Sequence, residues 1–215
     1  MDAYANIMNP LEIISQIFTS IQSFINAFPD FRILTIDEQT SLFKRNLHGV
    51  IGFYFILFSR DTEILHNSQY MDAFTNIYGS EVMLLAKNAN EQLDSDSTLV
   101  KIMLVVLVFS SHCFLVDNNE RVEHDRLLHG TFRLLGSQNV YLELLWKYMI
   151  YRYGYSESIV RFSRLIKLFL CVLKNSMIIY RTNQAHQTMV DDIIETIKQS
   201  LTMNRNEQIP LWGKT

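Results

Sequence analysis

Apolar side chains recur at intervals of three and four near the start of the chain, the period of a helix with one buried face. Leu11, Ile14, Ile17, Phe18, Ile21, Phe24, Ile25 and Phe28 keep that spacing. Asn9 is a good N-cap, Pro10 suits the first helical position, and Glu12 stands three after the cap. Pro29 disfavours helical backbone at Phe28 and ends the segment. Residues 1–8 read as a tail. A second helix opens at Thr35, where "TIDE" has the form of a capping box between Thr35 and Glu38. Its polar face ends near Asn46, and from there to Phe58 it is apolar on every side. Such a helix starts at the surface and runs through the centre of a domain. Gly49 and Gly52 within it imply a close neighbour, because glycine otherwise weakens a helix.

Beyond Arg60 the pattern weakens. "TEILHNSQYMDAF" suggests a short hairpin turning at Asn67-Ser68. "GSEVMLLAKNANEQL" is helical, and 99–110 is a second buried helix. A polar loop leads into a long helix over about 121–153, with Gly136-Ser137 as a point of interruption. "YGYSES" breaks it, Ser156 caps a helix over about 157–181, and another amphipathic helix covers about 185–202. The sum is about eight helices with at most one small β-hairpin, and no internal repeat.

Composition supports an all-α class. Apolar residues make up 48% of the 215-residue chain, enough for one sizeable core, while 7 Gly and 3 Pro are too few for a many-turned β fold. A net charge of −3 carries no basic excess for nucleic acid. Cys113 and Cys171 form no zinc-type pair and sit in apolar runs, as buried thiols do. The apolar run at 47–58 is shorter than the roughly 20 residues of a membrane span, and the run at 99–116 carries Lys101 and His112. Neither is expected to enter a membrane. "MDAYANIMNP" lacks the basic region and long apolar run of a signal peptide.

The corner "FINAFPDFRILTIDEQTSLFK" resembles the signature of the nuclear receptor ligand-binding domain, with Phe24, Pro29, Phe31, Leu34, Gln39, Leu42, Phe43 and Lys44 where that pattern wants them. Asn26 and Glu38 depart from it, standing where the family usually has a lysine and an aspartate. "YLELLWKYMIYRYG" and "RFSRLIKLFLCVLK" look like the family's ninth and tenth helices, in the right order. The resemblance implies a layered antiparallel helical sandwich over 9–215, incomplete at its N-terminus and without the DNA-binding module. It also implies a role in transcriptional regulation, in the nucleus or in nucleus and cytoplasm.

Three sites follow from the resemblance. A pocket for a small lipophilic ligand would be lined by Ile14, Ile17, Phe18, Ile21, Ile51, Tyr54, Phe55 and Phe58, with His48 and Tyr54 as polar anchors. Ile and Phe stripes of this kind also serve as plain core. A coregulator groove would use Asn26, Gln39, Phe43 and Lys44 to hold an amphipathic helix. Asn26, and Lys214 in place of a C-terminal glutamate, imply weak or lost ligand-driven recruitment. A surface for a homodimer, or for a heterodimer with another nuclear receptor, would use Arg161, Arg164, Lys167 and Lys174, with Ile159, Phe162, Leu165, Phe169 and Leu173 largely opposite. The same arc reads equally well as a solvated basic face.

No cofactor or metal is implied. Adjacent His112 and Cys113 point apart on a helix, His124 and His129 do not share a ridge, and the acids at 91, 94 and 96 read as a solvated loop. Without HExxH, GxSxG or a phosphate-binding glycine loop, the residues do not suggest an enzyme. The competing reading is a helical interaction module or lipid carrier that keeps the fold and titrates a partner without ligand-driven activation.

Overall fold

The computed structural model describes residues 9–110 and 131–207; for 44, 45, 131–133 and 200–207 it describes the backbone alone. The described residues contain nine α-helices, one 3-10 turn and no strand.

Helix α1 spans Pro10–Asn26 and is capped by the Asn9 side chain, which accepts from the Leu11 N–H at 3.0 Å. It ends two residues earlier than the apolar spacing implies. Phe28 must be extended ahead of Pro29, and it is (φ −79°, ψ 126°). The bridge that follows holds a single helical turn, α2 (Pro29–Arg32). Arg32 Nε donates to the Asn26 carbonyl at 2.8 Å and closes the corner. Asp30 ties it to a distant helix, accepting from Ser137 Oγ at 3.0 Å and Tyr141 OH at 2.8 Å.

Helix α3 (Ile36–Thr62) carries the expected capping box: Thr35 Oγ1 accepts from the Glu38 N–H at 3.3 Å, and Glu38 accepts from the Thr35 N–H at 2.7 Å. It runs on past Phe58 to Thr62 and stops at Glu63, whose backbone is left-handed (φ 54°). It packs against α1 and against four later helices. That central position explains why its middle is apolar all round.

After a 3-10 turn at Ile64–His66 the expected hairpin is a helix, α4 (Ser68–Tyr78). Asn67 is an N-cap and not a turn residue: its side chain accepts from the Gln69 N–H at 3.0 Å. Tyr70, Phe74 and Tyr78 fall on one helical face, with Phe74 buried. Helix α5 (Ser80–Gln92) and helix α6 (Ser97–Val108) follow. Asn46 on α3 holds the far end of α6, donating to the Val108 carbonyl at 2.9 Å.

Helix α7 is described from Thr131 to Tyr153 and passes through Gly136 and Ser137 unbroken. No described neighbour meets Gly136, and the helix passes through it unkinked. The break falls within "YGYSES" as expected, but the cap is Gly154 and not Ser156, which lies inside the next helix. With φ at 76° Gly154 turns the chain directly into α8 (Tyr155–Thr182). Helix α9 spans Gln184–Glu207.

A polar knot fastens the α5–α6 loop to α7 and α8. Asp96 caps α6 through the N–H groups of Thr98 and Leu99 and also accepts from Tyr148 OH at 2.8 Å and from Tyr153 OH. Burial raises the pKa of this carboxylate, but those four donors outweigh it and hold the pKa below the ordinary value. Beside it, Arg161 pairs with Asp94 at 2.8 Å and lies 4.0 Å above the Tyr153 ring. Arg60, at the end of α3, donates to Ser97 Oγ at 2.7 Å and to the Asp94 carbonyl.

Candidate functional site: a cavity around the central helix

One face of α3, recurring at His48, Ile51, Gly52, Phe55 and Ile56, lines a cavity of about 60 Å³. Ile14 of α1, Phe74 and Tyr78 of α4, Met83 and Ala86 of α5, Val172, Asn175 and Ser176 of α8, and His186 of α9 are also in the wall. The space matches about two waters and is well below the roughly 300 Å³ of the smallest drug-sized sites. Helix α8 approaches α3 closely at Gly52, where an added Cβ would lie 2.1 Å from Ser176 Oγ. That is the neighbour the glycine implied.

The cavity is polar at one end. His48 packs at a tilt against the Tyr180 ring, with centroids 4.1 Å apart, and lies 6.5 Å from the His186 ring. Tyr78 OH is 3.3 Å from His186 Nδ1. The α8–α9 junction is held against α4 there: Asn183 donates to the Ile77 carbonyl at 2.7 Å and accepts from the His186 N–H at 2.9 Å. Asn175 donates a long bond to the Val82 carbonyl at 3.5 Å, while its buried Oδ1 has no hydrogen-bond partner among the described residues. That acceptor suits a donor group in the cavity. At the mouth, between α5 and α8, the Cys171 thiol is exposed, against the expectation of a buried thiol.

Burial lowers the pKa of both imidazoles to about 4, His48 being further lowered by His186 beside it; burial also raises that of the Tyr78 phenol. The folded values lie below the ordinary 6.5, so the unfolded chain takes up protons first on acidification. Stability should be full above about pH 6.5 and fall towards pH 4, by on the order of 3 kcal/mol for the first imidazole. Urea unfolding across that range should show this slope, and a His48→Gln, His186→Gln variant should flatten it. An equally steep slope in the variant would exclude the two imidazoles as its source.

Of the residues expected to line a pocket, Ile14, His48, Ile51 and Phe55 line this one. Ile17, Phe18 and Ile21 are buried elsewhere in the core, and Tyr54 and Phe58 are half-buried against it. Tyr78, Asn175 and His186 carry the polar chemistry that sequence reasoning missed. One signal was present: His186 shares an apolar helical face with Val190, Ile193 and Ile197.

The groove residues are arranged differently from the expectation. Gln39 and Phe43 are buried, Gln39 donating to the Phe31 carbonyl at 2.9 Å and Phe43 meeting the Phe31 ring edge-on at 5.2 Å. They brace the corner from inside. Asn26 is half-buried, and its carbonyl serves Arg32. The nearby hollow between Ile25, Leu42, Phe43 and Val108 is apolar and measures only about 10 Å³. The Lys44 side chain, Lys214, His112, Cys113, His124 and His129 lie outside the described residues. Gln39→Ala should cost about 1–2 kcal/mol in a denaturant titration, because it frees a buried carbonyl; an unchanged midpoint would mean the bond contributes nothing to the corner.

On the basic arc, Arg164, Lys167 and Lys174 are exposed. Arg161 is not part of that surface, being bound to Asp94 and Glu157. Ile159, expected on the inner side, is 44% exposed, because the helix presents a mixed face there. No group of three or more metal-ligating side chains is found among the described residues. No described helix is long and apolar enough to cross a membrane. No protein-family model, curated protein or solved structure matches the chain.

Proposed function

We propose that the chain is the ligand-binding and regulatory domain of a nuclear receptor-like transcription regulator, with a layered antiparallel helical sandwich as its fold. The supporting observation is the cavity itself, which lies where α3, α5, α8 and α9 converge and has one polar end. A small lipophilic ligand with one hydrogen-bonding group suits that lining: apolar walls hold its body, and His48, His186, Tyr78 and Asn175 meet its polar end. Helix α9 contacts α1, α3 and α8. Binding against His186 would therefore bias the position of α9 by population shift.

Bulky alkylation of Cys171 at the mouth tests this reading. With an environment-sensitive fluorescent lipophile as probe, alkylated protein should bind less than untreated protein, with the Cys171 peptide confirmed by mass mapping. Equal binding by both would remove the cavity as the site. The volume of about 60 Å³ specifically favours the second reading, a helical interaction module that titrates a partner without ligand-driven activation. A lipid-sized ligand requires the cavity to widen.

A further inference from the structure

The cavity around α3 has a polar end but no charge. No Lys, Arg, Asp or Glu is among its described lining residues. Lys167 and Lys174, on the same helix as Asn175, are exposed and lie outside it. The two imidazoles supply no cation at neutral pH, because burial, with His186 beside His48 as a second cause for the latter, lowers both pKa values to about 4. A carboxylate drawn into this space would give up its water with no opposite charge to meet it, and so would an ammonium. The lining therefore selects an uncharged ligand.

One lining atom selects further. Asn175 stands on α8 one turn past Cys171 at the mouth. Its Nδ2 donates to the Val82 carbonyl at 3.5 Å, which orients the amide, and its buried Oδ1 has no hydrogen-bond partner among the described residues. A buried acceptor left unpaired costs free energy, so an occupant gains by donating to it. Ketones, esters and ethers cannot donate. A hydroxyl and an amide N–H can, and space decides between them. A volume of about 60 Å³ takes a hydroxyl and the first carbons of its chain more readily than a bulkier amide. The apolar side chains of Ile51, Phe55, Met83 and Ala86 suit those carbons.

We propose that the cavity takes an uncharged lipophilic alcohol whose hydroxyl donates to Asn175 Oδ1, and that it rejects the corresponding carboxylate. This inference rests on the proposed ligand-binding function and narrows it to one class of ligand.

Three compounds with one tail test it: n-octanol, octyl methyl ether and octanoate, each displacing Nile red, an uncharged fluorescent lipophile, from the full chain. Octanol should act at a concentration at least about fivefold lower than the ether and at least about tenfold lower than octanoate. The ether is the more lipophilic of the two uncharged compounds, so a cavity offering apolar walls alone would reverse the first order. Asn175→Leu keeps the branched shape and removes the acceptor. In that variant, with its fold checked by circular dichroism, octanol should lose its advantage over the ether. An advantage that survives in the folded variant overturns the proposal. So does a wild type that binds the ether as well as octanol, or from which octanol displaces no bound Nile red, whatever the variant does. Octanoate as the tightest of the three also overturns it, and would assign the anion to the exposed lysines of α8. Nile red that does not bind the wild type at all removes the ligand-binding function and the proposal with it.

Discussion

Asp96→Ala should destabilise the fold by about 3 kcal/mol, measured as the loss of unfolding free energy in urea. The carboxylate does two jobs with the same two oxygens. One caps α6 through the Thr98 and Leu99 N–H groups, a contact of about 1 kcal/mol in typical helices. The other accepts from Tyr148 and Tyr153, which belong to α7. Truncation leaves both phenols without this acceptor, and charge-assisted bonds of this kind contribute about 1.5–3 kcal/mol each before partial exposure is discounted. Asp96→Asn separates the two roles, since an amide oxygen still caps the helix but carries no charge for the tyrosines. The Asn variant should recover about a third of the loss. If the Ala variant lost less than about 1 kcal/mol, the knot at the α5–α6 loop would not be holding α7.

Gly52→Val should cost a similar amount, about 3 kcal/mol, for a steric reason. The first added carbon meets Ser176 Oγ at 2.1 Å and Val172 Cγ1 at 3.2 Å. A serine hydroxyl can rotate away, whereas the valine methyl lies on a buried helix face and has less room. Gly52→Ala should therefore be milder, because its overpacking is offset by about 1 kcal/mol of helix propensity. Ser176→Ala should relieve part of the Gly52→Ala cost, so the two changes together should be less destabilising than their sum. Strict additivity would mean that α3 and α8 are not in contact at Gly52.

The helices that were legible announced themselves locally. Asn9-Pro10 and the Thr35–Glu38 box set helix starts through bonds within four residues, and the structure contains the Asn9 cap and the Thr35–Glu38 box. Local signals misled where one residue type serves two structures. Asn67-Ser68 reads as a hairpin turn, yet the same Asn side chain caps α4. Likewise Gly136 looked like a point of interruption but sits in an unbroken helix, while the break expected within "YGYSES" lies at Gly154, whose backbone has positive φ. The cavity was half legible for a different reason. Its α1 and α3 residues follow a periodic stripe, but Tyr78, Asn175 and His186 come from elements that only tertiary packing brings together. A stripe also cannot tell a cavity wall from solid core, which is why Ile17, Phe18 and Ile21 turned out to be core. Arg161 shows the same limit for charge: on α8 it looks like its exposed neighbours, and only the fold brings Asp94 beside it.

Native mass spectrometry of the purified chain tests ligand occupancy of the α3–α5–α8–α9 cavity most directly. The expected result is a population carrying a noncovalent small-molecule adduct that is lost on mild activation, and that is reduced when Cys171 at the mouth is alkylated before exposure to a lipid extract. Protein of the bare sequence mass alone, before and after exposure to the extract, would contradict the ligand-binding reading and leave the helical interaction module in its place.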